Sequence, residues 1–381
     1  MFVNGDRIVV FVSSYSYGIR PIPEITGEKI ASEKSYNGPS TTIYFYNIEE
    51  REEPMLEKNL TIEGSYFDSR MIGDYVYAIV DKNVGRNPSI PIISEGGETR
   101  TACNCGDVGY FNIPESSYKF TTILSMNLNN QDIDSEVYMM GYSNKLYVSK
   151  KNIYMTSMKR MDYRTYQSEM IKEVMLPLLP SDVENEVKDI LDSDKEFYEK
   201  WRETEEIMQE YFNEISSEEK RQLEEDSKGL MEEFSRKISK RMEKTIIHKI
   251  GIDGMNIYYK GKGEVPGYVL NQFSMDEKDG YFRIATTTGN WRVDEYNHLY
   301  VLDEDLNIVG KLEDMAEGEI IKSVRFMGDR AYMVTFVQID PLFVIDLSEP
   351  TNPEVLGELK VTGYSSYLHP YDEDHLIGIG K

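Results

Sequence analysis

Residues Ser323 to Val361 read SVRFMGDRAYMVTFVQIDPLFVIDLSEPTNPEVLGELKV. The stretch contains four runs rich in β-branched and aromatic residues, SVRFM, AYMVTF, LFVIDL and EVLGELKV, with Gly, Asp, Pro or Asn between neighbouring runs. This punctuation is typical of short antiparallel strands joined by tight turns. A sheet of about forty residues cannot bury both of its faces alone, so we expect it to be one of several similar sheets.

The same pattern recurs elsewhere in the chain. The spacing of Pro, Leu and Gly after Asn47 matches the spacing after Asp346, and RMIGD in the earlier segment matches RFMGD in the later one. A third copy, LYVLDEDLNIVGKLE, places Asp303 at the position of Asp346, 43 residues earlier. A period of roughly 40–45 residues with four strands per unit is the period of a β-propeller blade.

We therefore predict a mainly β fold, a β-propeller of four-stranded antiparallel blades. The blades are expected in residues 1–180 and 245–381 as one continuous array. Gly5 and the run RIVVFV match a second strand, and the chain also stops within a second strand, so we expect an incomplete or excerpted ring. The strands predicted most directly lie near 74–80, 299–303, 331–336, 342–347 and 355–361.

Residues 181–244 differ in kind and predict an α-helical hairpin insertion. Ser193-x-x-Glu196 and Ser216-x-x-Glu219 have the form of capping boxes, and each precedes apolar residues at helical spacing. We expect two long helices whose apolar stripes pack against each other and against a blade, and do not form a partner-binding groove. The segment carries 21 Asp and Glu against 12 Lys and Arg. The acidic residues expected to face outward, as an interaction element, are Glu203, Glu206, Glu210, Glu224, Glu225 and Glu232.

The net charge of −25 limits the classes of partner that we expect. A field of this sign repels phosphate backbones, so we predict no nucleic-acid partner. We also predict no transmembrane segment, because no run approaches the ~20 apolar residues that one needs, and no signal peptide in this chain. Cys103 and Cys105 are the two cysteines, too few for a disulfide framework or a four-ligand zinc site.

Candidate chemistry is sparse, and we predict no catalytic residue and no cofactor. His369, Asp372 and His375 are the candidates for a metal site, since a turn could bring their side chains together. The same residues fall where the repeat places a turn, which favours Pro and Asp anyway. Asp303 begins a run that resembles a calcium loop but lacks its glycine and distal glutamate, so an Asx turn is favoured. Asp279 and Gly280 predict a hairpin turn.

Several segments are similar to a known family. They are the first two runs quoted above and GEVPGYVLNQFSMDEKDGYFRIATT, DPLFVIDLSEPTNPEVLGELKV and YLHPYDEDHLIGIGK. With them the chain resembles the prokaryotic family of secreted proteins that contain a C-terminal β-propeller distantly related to WD repeats. The resemblance covers nearly the whole chain, including the insertion. It implies a propeller at the cell surface or outside the cell, and it implies no activity.

Two functions remain open at this point. The first is a non-enzymatic binding scaffold that presents its loops and the acidic hairpin to a protein or glycan partner, because functional residues concentrate on loops of rigid scaffolds. The second is a hydrolase or other metal-dependent enzyme with a site in the central channel of the propeller. A metal analysis of the purified protein would separate them. The sequence does not indicate an oligomeric state.

Overall fold

A computed structural model places the elements that position the candidate sites. The residues that it describes are 1–16, 38–111, 117–141, 143–290, 293–336, 340–361, 363, 365–372 and 375–380. The chain divides into two compact units. The first comprises Met1–Ser157 and Ile247–Gly263, and the second comprises Met158–Ile246 and Glu264–Lys381.

The elements before the helical segment are strands β1 (Phe2–Asn4), β2 (Arg7–Ser16), β3 (Gly38–Asn47), β4 (Met55–Glu63), β5 (Ser65–Ile72), β6 (Tyr75–Asn83), β7 (Ile92–Glu95), β8 (Glu98–Thr101), β9 (Gly109–Tyr110), β10 (Lys119–Asn127), β11 (Ile133–Met140), β12 (Ser143–Val148) and β13 (Asn152–Arg160). The helical segment consists of α1 (Tyr163–Met170), a π-helical turn (Ile171–Met175), a 3₁₀ turn (Leu176–Leu178), α2 (Ser181–Asp192), α3 (Phe197–Glu214) and α4 (Ser217–Met242). The strands after it are β14 (Glu243–Asp253), β15 (Asn256–Pro266), β16 (Met275–Lys278), β17 (Tyr281–Asn290), β18 (Val293–Leu302), β19 (Ile308–Met315), β20 (Ile320–Met327), β21 (Arg330–Phe336), β22 (Asp340–Asp346), β23 (Glu354–Val361), β24 (Ser365–Pro370) and β25 (Leu376–Gly380).

The strands form antiparallel sheets of the predicted kind. Three sheets have four strands each, in the orders β12-β13-β14-β15, β16-β17-β18-β19 and β20-β21-β22-β23. Two larger sheets run β1-β2-β3-β4-β7-β8 and β5-β6-β10-β11-β9, and β24 pairs with β25. The five strands predicted most directly coincide with β6, β18, β21, β22 and β23, and all five pair antiparallel, so those predictions are confirmed.

A repeated turn explains why the sequence copies match. In four of the sheets an Asn or Asp at or just after the end of the third strand accepts a hydrogen bond from the backbone N–H two residues later, which closes an Asx turn. The four acceptors and donors are Asn47 and Glu49 (2.8 Å), Asn127 and Asn129 (2.9 Å), Asp303 and Asp305 (3.0 Å), and Asp346 and Ser348 (2.9 Å). The Asx turn at Asp303 is thereby confirmed, and Asn127 is a copy that spacing alone did not reveal.

A second hydrogen bond ties this turn to the first hairpin of the same sheet. The hairpin turn contains a glycine in the left-handed region, with φ of +58° at Gly73 and +56° at Gly328, a conformation that a side chain disfavours. The carbonyl oxygen of the next residue, Asp74 or Asp329, accepts from the backbone N–H of Leu128 at 2.9 Å or Leu347 at 2.8 Å. The recurring Gly-Asp pair is therefore a fixed part of the sheet, which accounts for its place in the repeat.

The start of the chain corrects one expectation. The first strand of the first sheet was expected to be absent, but β1 fills that position and pairs with β2 through Phe2 and Val9. The long excursion after β6 also contributes structure. Its strands β7 and β8 extend the first sheet beyond β4, and β9 pairs in parallel with β11.

The helical segment corrects two further expectations. It begins at Tyr163 instead of residue 181, because the Asp162 side chain accepts from the backbone N–H groups of Arg164 and Thr165 and caps α1. Ser216 and Glu219 form the predicted capping box of α4. The Ser193 hydroxyl instead donates to the Ile190 carbonyl oxygen at 2.7 Å, so no box forms there.

The two long helices do not form the predicted hairpin. The apolar residues of α3, including Trp201 and Ile207, join a cluster with Val187 of α2. Those of α4, Phe234 and Ile238, join a different cluster with the Tyr166 ring of α1. The stripes were assigned correctly to helices. Helix α4 packs on α1, which lies before the expected start of the insertion, whereas α3 packs on α2 and on the π-helical turn.

Helix α4 also packs against strands of the second unit. The Ser235 hydroxyl lies 3.2 Å from the Asp294 backbone nitrogen and accepts its hydrogen bond. Ser239 is fully buried and bonds the Thr288 hydroxyl at 3.5 Å. The last turns of α4 therefore cover the end of the β17–β18 hairpin.

Candidate functional site

The residues proposed for a metal site are only partly brought together. His375 Nδ1 lies 2.7 Å from Asp372 Oδ1, and that carboxylate also accepts the His375 backbone N–H. His369 Nδ1 instead lies 3.2 Å from the Tyr367 hydroxyl. Among the residues that the structure describes, no three His, Cys, Asp or Glu side chains are placed to share a metal ion. A metal at this turn stays a prediction, which metal analysis would test.

The cysteines are free thiols, with Cys103 half-buried and Cys105 exposed. Burial raises the pKa of the Cys103 thiol, and the charges of Glu136 and Asp107 raise it further. A raised pKa lowers the thiolate fraction at neutral pH, and the thiolate is the nucleophilic form. Cys103 therefore lacks the electropositive surroundings of a reactive cysteine.

The two remaining histidines are buried structural groups. His298 is fully buried, its Nε2 lies 2.8 Å from the Thr288 hydroxyl, and its Nδ1 accepts from the Asp314 backbone N–H at 3.1 Å. Burial, with the Lys240 charge, lowers the pKa of His298 to about 4. Burial likewise lowers the pKa of His248 to about 4. Both imidazoles are thus neutral at pH 7.

A groove in the helical segment is a candidate place for a small ligand. Its volume is about 200 Å³, and we call it the Trp201 groove. The side chains that line it come from α1, the π-helical turn, α2, α3 and the connection between α2 and α3; they are Ser168, Ile171, Leu191, Lys195, Phe197, Lys200 and Trp201. The lining combines an apolar and aromatic floor with two lysines.

Aromatic rings and cations alternate along one side of this groove. The rings of Phe197 and Trp201 lie 6.4 Å apart and are close to parallel. The Arg164 guanidinium carbon lies 5.4 Å from the Phe197 ring centroid and 5.0 Å from that of Tyr198. These distances are within the range of cation–π attraction. The Tyr198 side chain, 70% exposed, extends this surface into solvent.

Local backbone structure places the two lysines at the groove. The Lys200 ammonium donates to the Leu191 carbonyl oxygen at 2.7 Å, near the C-terminal end of α2, where a positive charge is favourable. Lys195 pairs with Glu203 at 2.5 Å. Helix α3 begins at Phe197, and no side chain caps its N-terminus. Its first backbone N–H groups therefore add positive potential beside Phe197.

The outward acidic surface of the segment was predicted in its main features. The structure leaves exposed all but one of the glutamates named above: Glu206, Glu210, Glu224, Glu225 and Glu232. Glu203 is half-buried because it pairs with Lys195. We call the five exposed residues the acidic surface.

Sequence reasoning did not find the Trp201 groove. It assigned Phe197 and Trp201 to an apolar stripe but attached no role to Lys195 and Lys200. The available signal was a pair of lysines interleaved with aromatic residues in an otherwise acidic segment. The contribution of Ile171 could not be anticipated, because a π-helical turn does not follow the 3.6-residue periodicity of an α-helix.

The family model described as Beta propeller domain matches residues 1–381. The chain is 34% identical to an uncharacterized protein of Methanocaldococcus jannaschii, covering 99% of this chain and 62% of that protein. It is also 34% identical to an uncharacterized protein of Archaeoglobus fulgidus, covering 90% of this chain and 54% of the relative. The chain thus spans less than two thirds of the length of these relatives.

Solved structures resemble the chain only distantly. A variant of Synechocystis apocarotenoid oxygenase matches with a TM-score of 0.33 and 9% identity, over 85% of this chain and 56% of that one. The acylaminoacyl peptidase of Pyrococcus horikoshii matches with a TM-score of 0.24 and 9% identity, over 83% and 49%. Scores this low carry no argument about activity. No described helix is both long enough and apolar enough to cross a membrane.

Proposed function

The chain belongs to the Beta propeller domain family, and from that premise we propose that it is a non-enzymatic binding scaffold whose helical segment engages a basic macromolecular partner. The observation that carries the proposal is the acidic surface. Its carboxylates are exposed, whereas large apolar side chains of the segment such as Phe234 and Val187 lie in clusters within it. These carboxylates are the groups that we propose contact the partner.

Charge sets the class of partner. Residues 181–244 carry 21 acidic and 12 basic side chains, within a chain of net charge −25. Opposite charge speeds encounter and fixes orientation, whereas like charge at an interface is costly. The partner we propose is accordingly a protein with a surface rich in Lys and Arg, and nucleic acid is disfavoured.

The test replaces the five glutamates of the acidic surface with glutamine. The control replaces five exposed glutamates outside the helical segment: Glu52, Glu53, Glu98, Glu354 and Glu358. Proteins captured from source cells by cross-linking to wild type are identified, purified and titrated against all three forms. We expect the acidic-surface variant alone to lose binding, and we expect wild-type affinity to fall as salt is raised. Equal loss in both variants, or no dependence on salt, would refute the proposal.

We also propose that the protein works at the cell surface or outside the cell. The support is the resemblance to secreted propeller proteins described above. Fractionation of source cells, followed by immunoblotting with an antibody to this chain, tests the location. Protein found only in the cytoplasmic fraction would contradict it.

A further inference from the structure

Beyond that function, we propose that the Trp201 groove binds a small amphipathic carboxylate, with its apolar body on the aromatic floor and its carboxylate beside Lys200. This site is distinct from the acidic surface. A failure here would leave the partner-capture result untouched, and the reverse also holds.

The floor suits an apolar body of limited size. Ile171, Leu191, Phe197 and Trp201 line it, and Ile171 is only 4% exposed. A volume of about 200 Å³ is below the ≈ 300–1,000 Å³ of usual small-molecule pockets. The occupant is therefore a single short chain or one ring.

The cations select a carboxylate head group. The Lys200 ammonium has three donors, and the bond to the Leu191 carbonyl oxygen uses one of them. Among the described residues, no carboxylate lies within ion-pair distance of Lys200, whereas Lys195 is already paired with Glu203. Lys200 is thus the cation that a ligand carboxylate would contact.

The charge of the whole chain limits the ligand to a monoanion. At a net charge of −25, repulsion grows with the charge of an approaching anion. Every negative charge of a polyanion or an acidic protein would be repelled by the chain, whereas a ligand with one carboxylate has only one charge to be repelled. We therefore infer a free small molecule and not an acidic protein segment.

Trp201 supplies a direct readout. The chain has two tryptophans, and Trp291, which lies outside the described residues, is replaced by Phe so that emission reports Trp201 alone. Octanoate is titrated, with 1-octanol as the uncharged analogue. We expect a saturable change in Trp201 emission with octanoate and about tenfold weaker binding of octanol, the size of one charge-assisted hydrogen bond.

Variants of Lys200 decide the role of the charge. Lys200→Gln keeps a donor for Leu191 but removes the charge, so octanoate should bind about as weakly as octanol; Lys200→Arg should retain the preference. Lys220→Gln, at an exposed position of α4, is the matched control and should bind octanoate normally. Ligand-observed NMR repeats the comparison, and circular dichroism verifies folding. Equal binding of octanoate and octanol, a change that never saturates, or normal octanoate binding by folded Lys200→Gln would overturn the proposal.

Discussion

The ring of Tyr166 on α1 lies 5.8 Å from the ring of Phe234 on α4, at an interplanar angle of 50°. Phe234 is 2% exposed and Tyr166 is 9% exposed, so the contact is inside the helical segment. This pair and the contacts of Ser235 and Ser239 with β17 and β18 hold α4 in place, and no pairing of the two long helices does so. Burial of this pair means that the packing of α4 contributes to the free energy of unfolding of its unit.

Replacing Phe234 with Ala should lower the free energy of unfolding by about 3–5 kcal/mol, because a fully buried ring is removed and the site cannot collapse completely. Met231, three residues earlier and 37% exposed, offers the control, and Met231→Ala should change stability by roughly 0.5 kcal/mol or less. Urea denaturation measures both. Similar midpoints for the two variants would show that the α1–α4 contact contributes little.

The Asx turn at Asp346 should depend mainly on the acceptor oxygen, with a smaller contribution from the negative charge of the carboxylate. Asp346→Ala should lower the melting temperature at pH 7, since the Ser348 backbone N–H loses its acceptor. Asp346→Asn should melt between Asp346→Ala and wild type, because an amide oxygen closes the same turn at Asn47 and Asn127 but accepts a weaker hydrogen bond than a carboxylate. Equal losses in both variants would contradict this interpretation.

The same position predicts an effect of pH. Hydrogen bonds from Ser348 lower the pKa of Asp346 below its usual value. A carboxyl with a depressed folded pKa contributes stability that is present above its unfolded pKa, near 3.9, and that is lost as pH falls through the folded pKa. The difference in melting temperature between wild type and Asp346→Ala should therefore shrink below about pH 4. A constant difference from pH 7 to pH 3 would argue against this source of stability.

Neutral His298 should make the protein sensitive to mild acid. Its folded pKa is about 4, whereas an unfolded histidine titrates near 6.5. Between these values the unfolded state binds more protons, so stability falls as pH drops, by an amount on the order of 3 kcal/mol.

Urea midpoints from pH 7 to pH 4 measure that slope. His298→Gln retains one donor and one acceptor but cannot titrate in this range, so its midpoint should fall less steeply than that of wild type. His375→Gln, at a side chain 73% exposed, should keep the wild-type slope. A His298→Gln slope equal to that of wild type would show that His298 is not the source.

Gly310 should resist even one added methyl group. A Cβ at this position of β19 would clash with the carbonyl oxygen of Pro350, whereas a Cβ at Gly357 of β23 would meet nothing within 4 Å. Gly310→Ala should therefore destabilise by about 1–3 kcal/mol, and Gly357→Ala should be close to neutral or slightly stabilising. Thermal unfolding of both variants tests the difference. A neutral Gly310→Ala would mean that the loop around Pro350 yields easily.

The strands were predictable because turn chemistry is local. Gly328 and Asp346 mark their turns within a few residues, and the same hydrogen bonds recur from sheet to sheet. The family match over the whole chain agrees with that interpretation.

The packing of the helices was not predictable from the same local signals. The stripes of α3 and α4 carry no information on which helix they pack against. Helix α1, which covers Phe234, is marked in the sequence only by its Asp162 cap. The Trp201 groove was missed for a related reason, since Ile171 and Lys200 come together only through tertiary packing.

Helix α4 ends at Met242 and β14 starts at Glu243, with no residue between them. A loop would absorb rotation of the helix, but a direct junction has no slack. A force applied near Ser217 is therefore transmitted along α4 directly to the hydrogen bonds at the start of β14. A single-molecule pull through α4 should find the helix and that strand end yielding in one step.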